Sequence, residues 1–281
     1  MQKSIRRHWW LFLLPTAAAF AIVFLLPFLM GLALSFTEFT TVTNAKWVGL
    51  ANYVKAFTKN GEFIDALWFT AKFTAVAVLT VNLLAFAMAM LLTKSIPGTN
   101  LYRTVFFMPN LIGGIVLGWI WQMIFNGVLM RYGMTLTTNP DFGFWGLVIL
   151  MNWQMIGYMM IIYIAGIQNI PGDLYDAADV DGAGWWRRLS SVTLPMVMPS
   201  ITICTFLTLT NSFKLFDQNL ALTAGAPSKK TAMLALDIYN TFYSRAGWQG
   251  VGQAKAVVFL VLVAGISLLQ LSLTRTREVD Q

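Results

Sequence analysis

The chain has 281 residues, of which 57% are hydrophobic and only 11% are charged, and its formal net charge is +7. Soluble domains carry about a quarter charged residues, so this composition excludes an ordinary water-soluble domain and places much of the surface against lipid. The basic residues are dispersed over short loops without interleaved aromatic residues, which disfavours nucleic-acid binding. Positive charge of this kind is better suited to setting membrane topology.

Six segments are apolar and long enough to cross a bilayer, which requires about 20 residues for a helix. They cover residues 9–36, 66–93, 104–125, 145–168, 196–219 and 254–274. The first segment follows three basic residues, as a secretory signal would, but it is too long for a signal and contains two prolines. The sequence therefore predicts an all-α membrane protein with six transmembrane helices, forming a single membrane domain over residues 1–281.

The distribution of Lys and Arg predicts the orientation of these helices. If the N-terminus is cytoplasmic, the inside segments 1–8, 94–103, 169–195 and 275–281 hold nine basic residues in 52 positions. The outside segments then hold seven in 82 positions. Because cytoplasmic loops are enriched in Lys and Arg, we expect both termini in the cytoplasm. Residues 169–195 then form a cytoplasmic loop.

That loop has the pattern of a bent helical hairpin. Pro171 suits the first turn of a helix, and Asn169 is a candidate for its N-cap. Three aspartates spaced three residues apart share one face of this first helix. Gly182 can adopt a positive φ and end the helix, after which Trp185–Val192 predicts a second helical segment. The charge pattern alone also fits an ordinary solvated loop with capped helices.

The residues needed for several kinds of chemistry are missing from the sequence. There is no G-x-x-x-x-G-K-[ST] phosphate-binding loop, and the single histidine, His8, lies in the N-terminal tail. No cluster of residues has the spacing of metal ligands. The single cysteine, Cys204, lies in an apolar run and is read as a small buried hydrophobic residue. We therefore expect no cofactor in this chain and no enzymatic activity.

The cytoplasmic loop resembles the EAA motif of ABC-importer permeases. That motif has an acidic residue before two alanines, then Asp-Gly-Ala, and Leu-Pro at a fixed distance. The matching residues here are Asp176, Ala177, Ala178, Asp181, Gly182, Ala183, Leu194 and Pro195. The family usually has Glu where this chain has Asp176. The resemblance implies that the loop is a coupling helix, which docks in a cleft of a separate ATPase subunit and transmits the closure of that subunit to the membrane helices.

Other stretches resemble the maltose-permease-like branch of carbohydrate importers: residues 47–53, 102–109, 216–217 and 222–227. The resemblance implies a type I ABC importer permease fold in a bacterial cytoplasmic membrane, and transport of a di- or oligosaccharide. It also implies a second, homologous permease subunit, two ATPase subunits that hold ATP and Mg²⁺, and an extracellular or periplasmic sugar-binding protein. The extra spans and the large external insertion of the maltose permease are absent.

Polar residues inside the predicted spans mark a candidate substrate path, because amides, hydroxyls and aromatic faces suit a neutral sugar. The candidate residues are Asn110, Trp153, Gln154, Tyr158, Thr208, Asn211 and Ser212. An ungapped alignment on the coupling loop also places several of them at sugar-contacting positions of the maltose permease. For any one residue, helix packing is the alternative, and Gly114–Gly118 is a small-xxx-small pattern typical of helix contacts.

Charged residues near the span ends allow a competing hypothesis. Lys214 and Asp217 are spaced to form an ion pair, and Lys72 and Lys255 could extend to the outer membrane interface. An ion-coupled secondary transporter would instead need a carboxylate or histidine near mid-membrane and inverted repeats. Asp217 is the one carboxylate within a predicted span, and it lies toward an end. A purely structural scaffold would leave the polar stripes unexplained.

Overall fold

The computed structural model describes residues 13–58, 61–94 and 96–275, in which helices predominate. The helices are α1 Leu13–Leu34, α2 Ala51–Thr58, α3 Glu62–Leu92, α4 Thr99–Phe107, α5 Gly114–Leu129, α6 Pro140–Gln168, α7 Gly172–Val180, α8 Trp185–Met196, α9 Met198–Phe213, α10 Asp217–Leu222, α11 Leu234–Tyr243 and α12 Gln249–Arg275. A small antiparallel hairpin pairs β1 Thr37–Glu38 with β2 Lys46–Trp47, an element that the sequence did not predict. The predicted start of the first span and the basic residues of the N-terminal tail lie outside the described residues.

Five helices are long and apolar enough to cross a membrane, and the pair α8 and α9 can provide a sixth span. This pair is bent by 70° at Val197, which has left the α-helical region at φ −91° and ψ 1°. Pro199 explains the bend, since its ring has no N–H to donate and clashes with the carbonyl four residues earlier. The prediction of six spans is confirmed, with the sixth made of two helices at an angle.

The third and fifth predicted spans have the wrong boundaries. Instead of one helix over 104–125, α4 ends at Phe107, a 3₁₀ turn covers Met108–Leu111, and α5 begins at Gly114. Pro109 and the two following glycines favour this break. The fifth predicted span, 196–219, is likewise interrupted between α9 and α10. Apolar composition alone does not reveal such breaks, because the residues on both sides remain hydrophobic.

The fourth predicted span starts five residues too late, since α6 begins at Pro140. Asn139 is the N-cap, and its side-chain oxygen accepts a hydrogen bond from the backbone N–H of Asp141 at 2.9 Å. Pro140 costs no hydrogen bond at this position, because the backbone N–H groups of the first helical turn have no acceptor within the helix. This start signal was present in the sequence, but it lies outside the apolar run.

The described chain divides into two compact units, the first made of residues up to Phe63 together with Ile238–Leu260. In this unit Asn52 is buried and fastens α2 to the end of α1. Its Nδ2 donates to the carbonyl oxygens of Ser35 at 3.0 Å and Thr37 at 2.8 Å. An ion pair between Arg245 and Glu62 belongs to the same unit.

The prediction that Lys255 extends to the outer membrane interface is wrong. The residue is 3% exposed, and its Nζ donates to the hydroxyl of Thr241 at 2.9 Å. The ammonium also lies 5.3 Å from the centroid of the Phe63 ring. A buried charge is tolerated where polar and aromatic groups replace its hydration, and Lys255 finds such groups inside the first unit. For Lys72, which lies 5.4 Å from the Phe144 ring centroid, the same expectation stays a prediction.

The second unit contains Ile64–Asp237 and the chain from Val261 onward, and α6 lies at its centre with about half of its residues buried. Along α3, the residues at every fourth position from Phe73 to Ala89 are completely buried and mostly small, which lets neighbouring helices approach closely. A polar network adds specific ties: Tyr163 Oη donates to Asn82 Oδ1 at 2.7 Å, and Asn82 Nδ2 donates to Thr208 Oγ1 at 3.3 Å. These bonds connect α3, α6 and α9.

Candidate functional site

A polar cavity of about 190 Å³ lies within the second unit, at the two points where helices are interrupted. Four carboxamide side chains line it: Asn110, Gln154, Asn211 and Gln218. The exposed Lys214 stands beside them, and two methionines of α6 with Leu215 complete the lining. Three of the predicted substrate-binding residues are therefore brought together, although they come from three different helical segments.

Hydrogen bonds organise the amides of this cavity. Gln218 Nε2 donates to Gln154 Oε1 at 2.8 Å, and Gln154 Nε2 lies 3.4 Å from the carbonyl oxygen of Ile112. Asn211 Nδ2 donates to the carbonyl of Leu207 at 2.8 Å within its own helix. Each amide carries both donors and acceptors, so the cluster can exchange these bonds for bonds to hydroxyl groups. The buried methionines beside it offer apolar contact for C–H surfaces.

The interruptions of the helices place the cavity residues. Asn110 lies in the 3₁₀ turn after α4. Ile112 and Gly113 follow in an extended conformation, and the Ile112 carbonyl accepts from the side chain of Gln154. Gln218 lies in the first turn of α10, just after the break that follows α9. Gln218 and Lys214 were missed as site residues because the sequence predicted a continuous helix there. The break after α4 did have a signal in the sequence, the Pro-x-x-x-Gly-Gly pattern at residues 109–114.

Thr208 and Ser212 are not brought to the cavity. Both are completely buried, and their hydroxyls donate to carbonyls one turn earlier in α9: Thr208 to Cys204 at 2.8 Å, and Ser212 to Thr208 at 2.7 Å. Such bonds are the usual way in which Ser and Thr are satisfied inside an apolar helix. These residues do lie on the same helix as Asn211, but the sequence did not show which face of that helix meets the cavity.

The two predicted aromatic residues lie on α6 outside the cavity lining. Trp153 is 44% exposed and packs edge-on against Trp121 with 5.6 Å between ring centroids. Tyr158 is half-buried and packs edge-on against Phe107 at 6.4 Å. Both therefore support the helices around the cavity in this conformation, and their contact with a substrate stays a prediction.

Gly114, Gly118 and Gln122 of the third predicted span serve helix packing. A Cβ added to Gly118 would lie 2.6 Å from the Cβ of Ala221, so α5 and α10 are in close contact. Gln122 Nε2 strengthens this contact by donating to the carbonyl of Leu222 at 3.0 Å. Gly114 packs in the same way on Asp217, whose Cβ lies 2.7 Å from the position of an added Cβ. Among the described residues, the structure records no ion pair between Asp217 and Lys214.

The loop after α6 forms the predicted helical hairpin. Helix α7 ends at Val180, and Gly182 takes a φ of +68°, as the sequence predicted. An ion pair of 2.6 Å joins Asp179 of α7 to Arg188 of α8, and the hydroxyls of Tyr175 and Thr193 lie 3.1 Å apart. These contacts hold the two arms together, and α8 continues through a π-helical turn at Leu189–Thr193 to the bend before α9.

Asn169 is not the N-cap of the hairpin helix. It ends α6, where its N–H donates to the Ala165 carbonyl at 3.2 Å. The N-cap position of α7 is occupied by Pro171, without a side-chain bond. The predicted cap was wrong because α6 extends to Gln168 and uses Asn169 for its own termination.

The motif residues divide between the surface and the interior of the hairpin. Asp176, Ala177 and Asp181 are exposed, while Ala178 and Ala183 are half-buried. Leu194 and Pro195 are half-buried at the joint before α9. One surface residue was missed: Val180 ends α7 with 89% of its surface exposed. It stands next to the exposed motif residues Asp176, Ala177 and Asp181.

The six-span fold with its bent pair α8 and α9, a polar cavity inside the second unit and an exposed hairpin define a polytopic membrane permease. Residues 84–278 match the family model described as "Binding-protein-dependent transport system inner membrane component". The chain belongs to this family and is a multi-pass inner-membrane protein.

Similar proteins agree with this assignment along the whole chain. The chain is 45% identical to the "Probable starch degradation products transport system permease protein AmyD" of Thermoanaerobacterium thermosulfurigenes, with 97% of this chain and 95% of the relative covered. It is 30% identical to the "Multiple sugar-binding transport system permease protein MsmF" of Streptococcus mutans, with 99% of both covered. A crystal structure of a bacterial ABC transporter for import of the acidic polysaccharide alginate superimposes with a TM-score of 0.81 at 23% identity, covering 98% of each chain. This similarity confirms the type I ABC importer permease fold.

Proposed function

We propose that this chain is one permease subunit of an ATP-driven, binding-protein-dependent importer of a di- or oligosaccharide. The observation that carries the proposal is the exposed hairpin α7–α8, joined by a single bend to a membrane-spanning helix. A rigid lever of this kind suits transmission of movement from a separate motor to the membrane. The sugar class is supported by the names of the relatives, the first of which is 45% identical to this chain.

In this proposal, Asp176, Ala177, Val180 and Asp181 dock into an ATPase subunit that holds ATP and Mg²⁺. Gly182 supplies the turn that fixes the angle between the arms of the hairpin, and Leu194 with Pro195 forms the joint to α9. Two ATPase subunits, a second homologous permease and an extracellular or periplasmic sugar-binding protein complete the importer. The hairpin and both chain termini then face the cytoplasm.

The sugar would be bound by the amides of the polar cavity: Asn110, Gln154, Asn211 and the added Gln218. Hydroxyl groups of a sugar both donate and accept, and carboxamides match them without adding charge. Trp153 and Tyr158, which lie on either side of Gln154 in the sequence of α6, would meet the sugar outside the present cavity lining, where aromatic faces suit its C–H surfaces. Thr208 and Ser212 contribute indirectly, because they hold the helix that presents Asn211.

Asn211→Leu is expected to raise the apparent KM for transport roughly five- to thirtyfold, since losing one well-placed hydrogen bond costs about 1–2 kcal/mol. The change keeps the size of the side chain and removes both polar atoms. Uptake of labelled maltodextrins by proteoliposomes containing the whole importer measures the effect. The matched control, Thr210→Val, removes from the same helix a hydroxyl that lies outside the cavity lining and donates to the Phe206 carbonyl at 2.9 Å, and it should leave KM unchanged. Equal KM values for the wild type and Asn211→Leu would contradict the assignment of the cavity.

The proposed association with an ATPase subunit is tested by purifying the tagged chain from its native membrane. An ATPase subunit should accompany it, and sugar-loaded binding protein should stimulate ATP hydrolysis by the purified complex. The alternative, an ion-coupled secondary transporter, predicts uptake that collapses with an ionophore and requires no ATPase. Uptake of sugar by this chain alone, driven by an ion gradient, would reject the proposed function.

A further inference from the structure

A second cavity, of about 390 Å³, lies in the second unit between the hairpin and the ends of two membrane-spanning helices. One wall is apolar and comes from Met90 in the last turns of α3, Ile167 in the last turn of α6, and Leu189 of the π-helical turn. All three residues are half-buried. The amide cavity lies elsewhere and shares no lining residue with this one.

The rest of the lining includes two cationic side chains and an aromatic one. Lys94, just after α3, is exposed, and the side chain of Arg188 is 38% exposed. Trp185 stands in the same lining with 52% of its surface exposed. Arg188 forms an ion pair of 2.6 Å with Asp179 of α7. The Asp179 side chain is itself 55% exposed. Lys94 adds a second positive charge to that of Arg188, and the exposed Trp185 completes this part of the lining.

We infer that this cavity binds the headgroup of an anionic phospholipid from the inner leaflet. The inference rests on the proposed orientation, which places the ends of α3 and α6 at the cytoplasmic interface. A phosphodiester matches two cations, while the first carbons of the acyl chains match the wall of Met90 and Ile167. Tryptophan and lysine are the residues that anchor at this depth of a bilayer, and basic pockets between helices on the cytoplasmic side suit lipid headgroups. A free phosphate ion would leave the apolar wall unused.

Such a lipid would act on the hairpin. Its phosphate competes with Asp179 for Arg188, so the ion pair between α7 and α8 weakens as the lipid binds. The Tyr175 and Thr193 hydroxyls, 3.1 Å apart, keep the arms joined, and the lipid fills the space between the hairpin and the ends of the spans. Bound lipid therefore supports the hairpin against α3 and α6. Coupling to the ATPase subunit would then depend on the anionic charge of the membrane.

The test uses the complete importer reconstituted in nanodiscs of phosphatidylglycerol mixed with phosphatidylcholine. Native mass spectrometry should find phosphatidylglycerol retained by the wild type. The double variant Lys94→Gln with Arg188→Gln should retain at least fivefold less, and stimulation of its ATPase by phosphatidylglycerol should disappear. Arg188→Lys should retain the lipid, because it keeps the positive charge. The matched control is Arg131→Gln, an exposed arginine outside the cavity, and it should behave as the wild type does.

Equal retention of phosphatidylglycerol by the double variant and the wild type would overturn the inference. It would also be overturned if inorganic phosphate at millimolar concentration displaced the lipid, since the site would then recognise an anion without its chains. Lys94→Gln alone changes an exposed side chain and serves as the variant that is certain to fold, with an expected intermediate loss. Retention is measured without sugar, so a failure of the proposed transport function would leave this result readable on its own.

Discussion

Gly157→Ala is expected to lower the stability of the chain by about 3 kcal/mol or more, because the added methyl group has no space. A Cβ at this position would lie 1.8 Å from the carbonyl oxygen of Phe106 and 2.3 Å from its carbonyl carbon. Both are backbone atoms of α4, so no side-chain rotation can relieve the clash. Helices α4 and α6 would have to separate over the whole contact.

The separation should also affect the polar cavity. Helix α4 leads directly into the 3₁₀ turn that carries Asn110, while Gln154 lies one turn before Gly157 on α6. A displaced α4 therefore moves two of the four amides apart, and we expect transport to fall together with stability. The thermal unfolding midpoint of the purified chain in detergent, followed by tryptophan fluorescence, measures the first effect. Uptake by the reconstituted importer measures the second.

Gly127→Ala is the matched control for this change. Gly127 lies in α5, and a Cβ added there would meet no atom within 4 Å. Alanine is the better helix former by about 1 kcal/mol, so the isolated chain should become slightly more stable. If Gly157→Ala unfolded at the same temperature as the wild type, the close approach of α4 and α6 would be disproved.

The hairpin was predictable from the sequence because its signals are local. A glycine that must take a positive φ, a proline before the helix and a run of spaced aspartates all act within a few residues. The one error, Asn169, arose where two neighbouring helices compete for the same capping residue. Val180 was overlooked because a single apolar residue in a polar loop has no periodicity, and only its exposure in the folded chain draws attention to it.

The cavity was only partly predictable. Asn110, Gln154 and Asn211 were found because amides are costly against lipid. The sequence could not separate Asn211 from Ser212, since adjacent residues of one helix point about 100° apart and only packing decides which one is buried. Gln218 and Lys214 were missed because two helix breaks, each inside an apolar run, bring them to the site. Tertiary contacts between α5 and α10, through Gly114 and Gly118, are what stabilise those breaks.

Val180→Lys is expected to abolish productive coupling, with transport reduced at least roughly thirtyfold, the equivalent of about 2 kcal/mol at an interface hot spot. Val180 is 89% exposed at the end of α7, so the isolated chain loses almost no packing when it is changed. A lysine at the C-terminal end of a helix is favourable for the helix dipole. The thermal unfolding midpoint of the chain should therefore stay as it is in the wild type.

The loss arises only in the assembled importer. A valine docked in a cleft of the ATPase would be shielded from water, and an ammonium group in its place must either lose its hydration or prevent docking. The acidic face of α7, with Asp173 and Asp176 exposed, would also require a complementary basic cleft, which would repel the added charge. Co-purification of the ATPase subunit with the tagged chain should weaken in parallel with transport.

Two comparisons separate docking from a general effect of the substitution. Val42→Lys introduces the same charge at a valine that is 58% exposed in the loop between β1 and β2 of the first unit, and it should keep the ATPase subunit bound. Val180→Ala removes two methyl groups without adding charge and should cost at most about 1.6 kcal/mol at the interface. Full transport and full ATPase retention by Val180→Lys would show that the end of α7 does not enter the motor subunit, and the hairpin would then need another docking face.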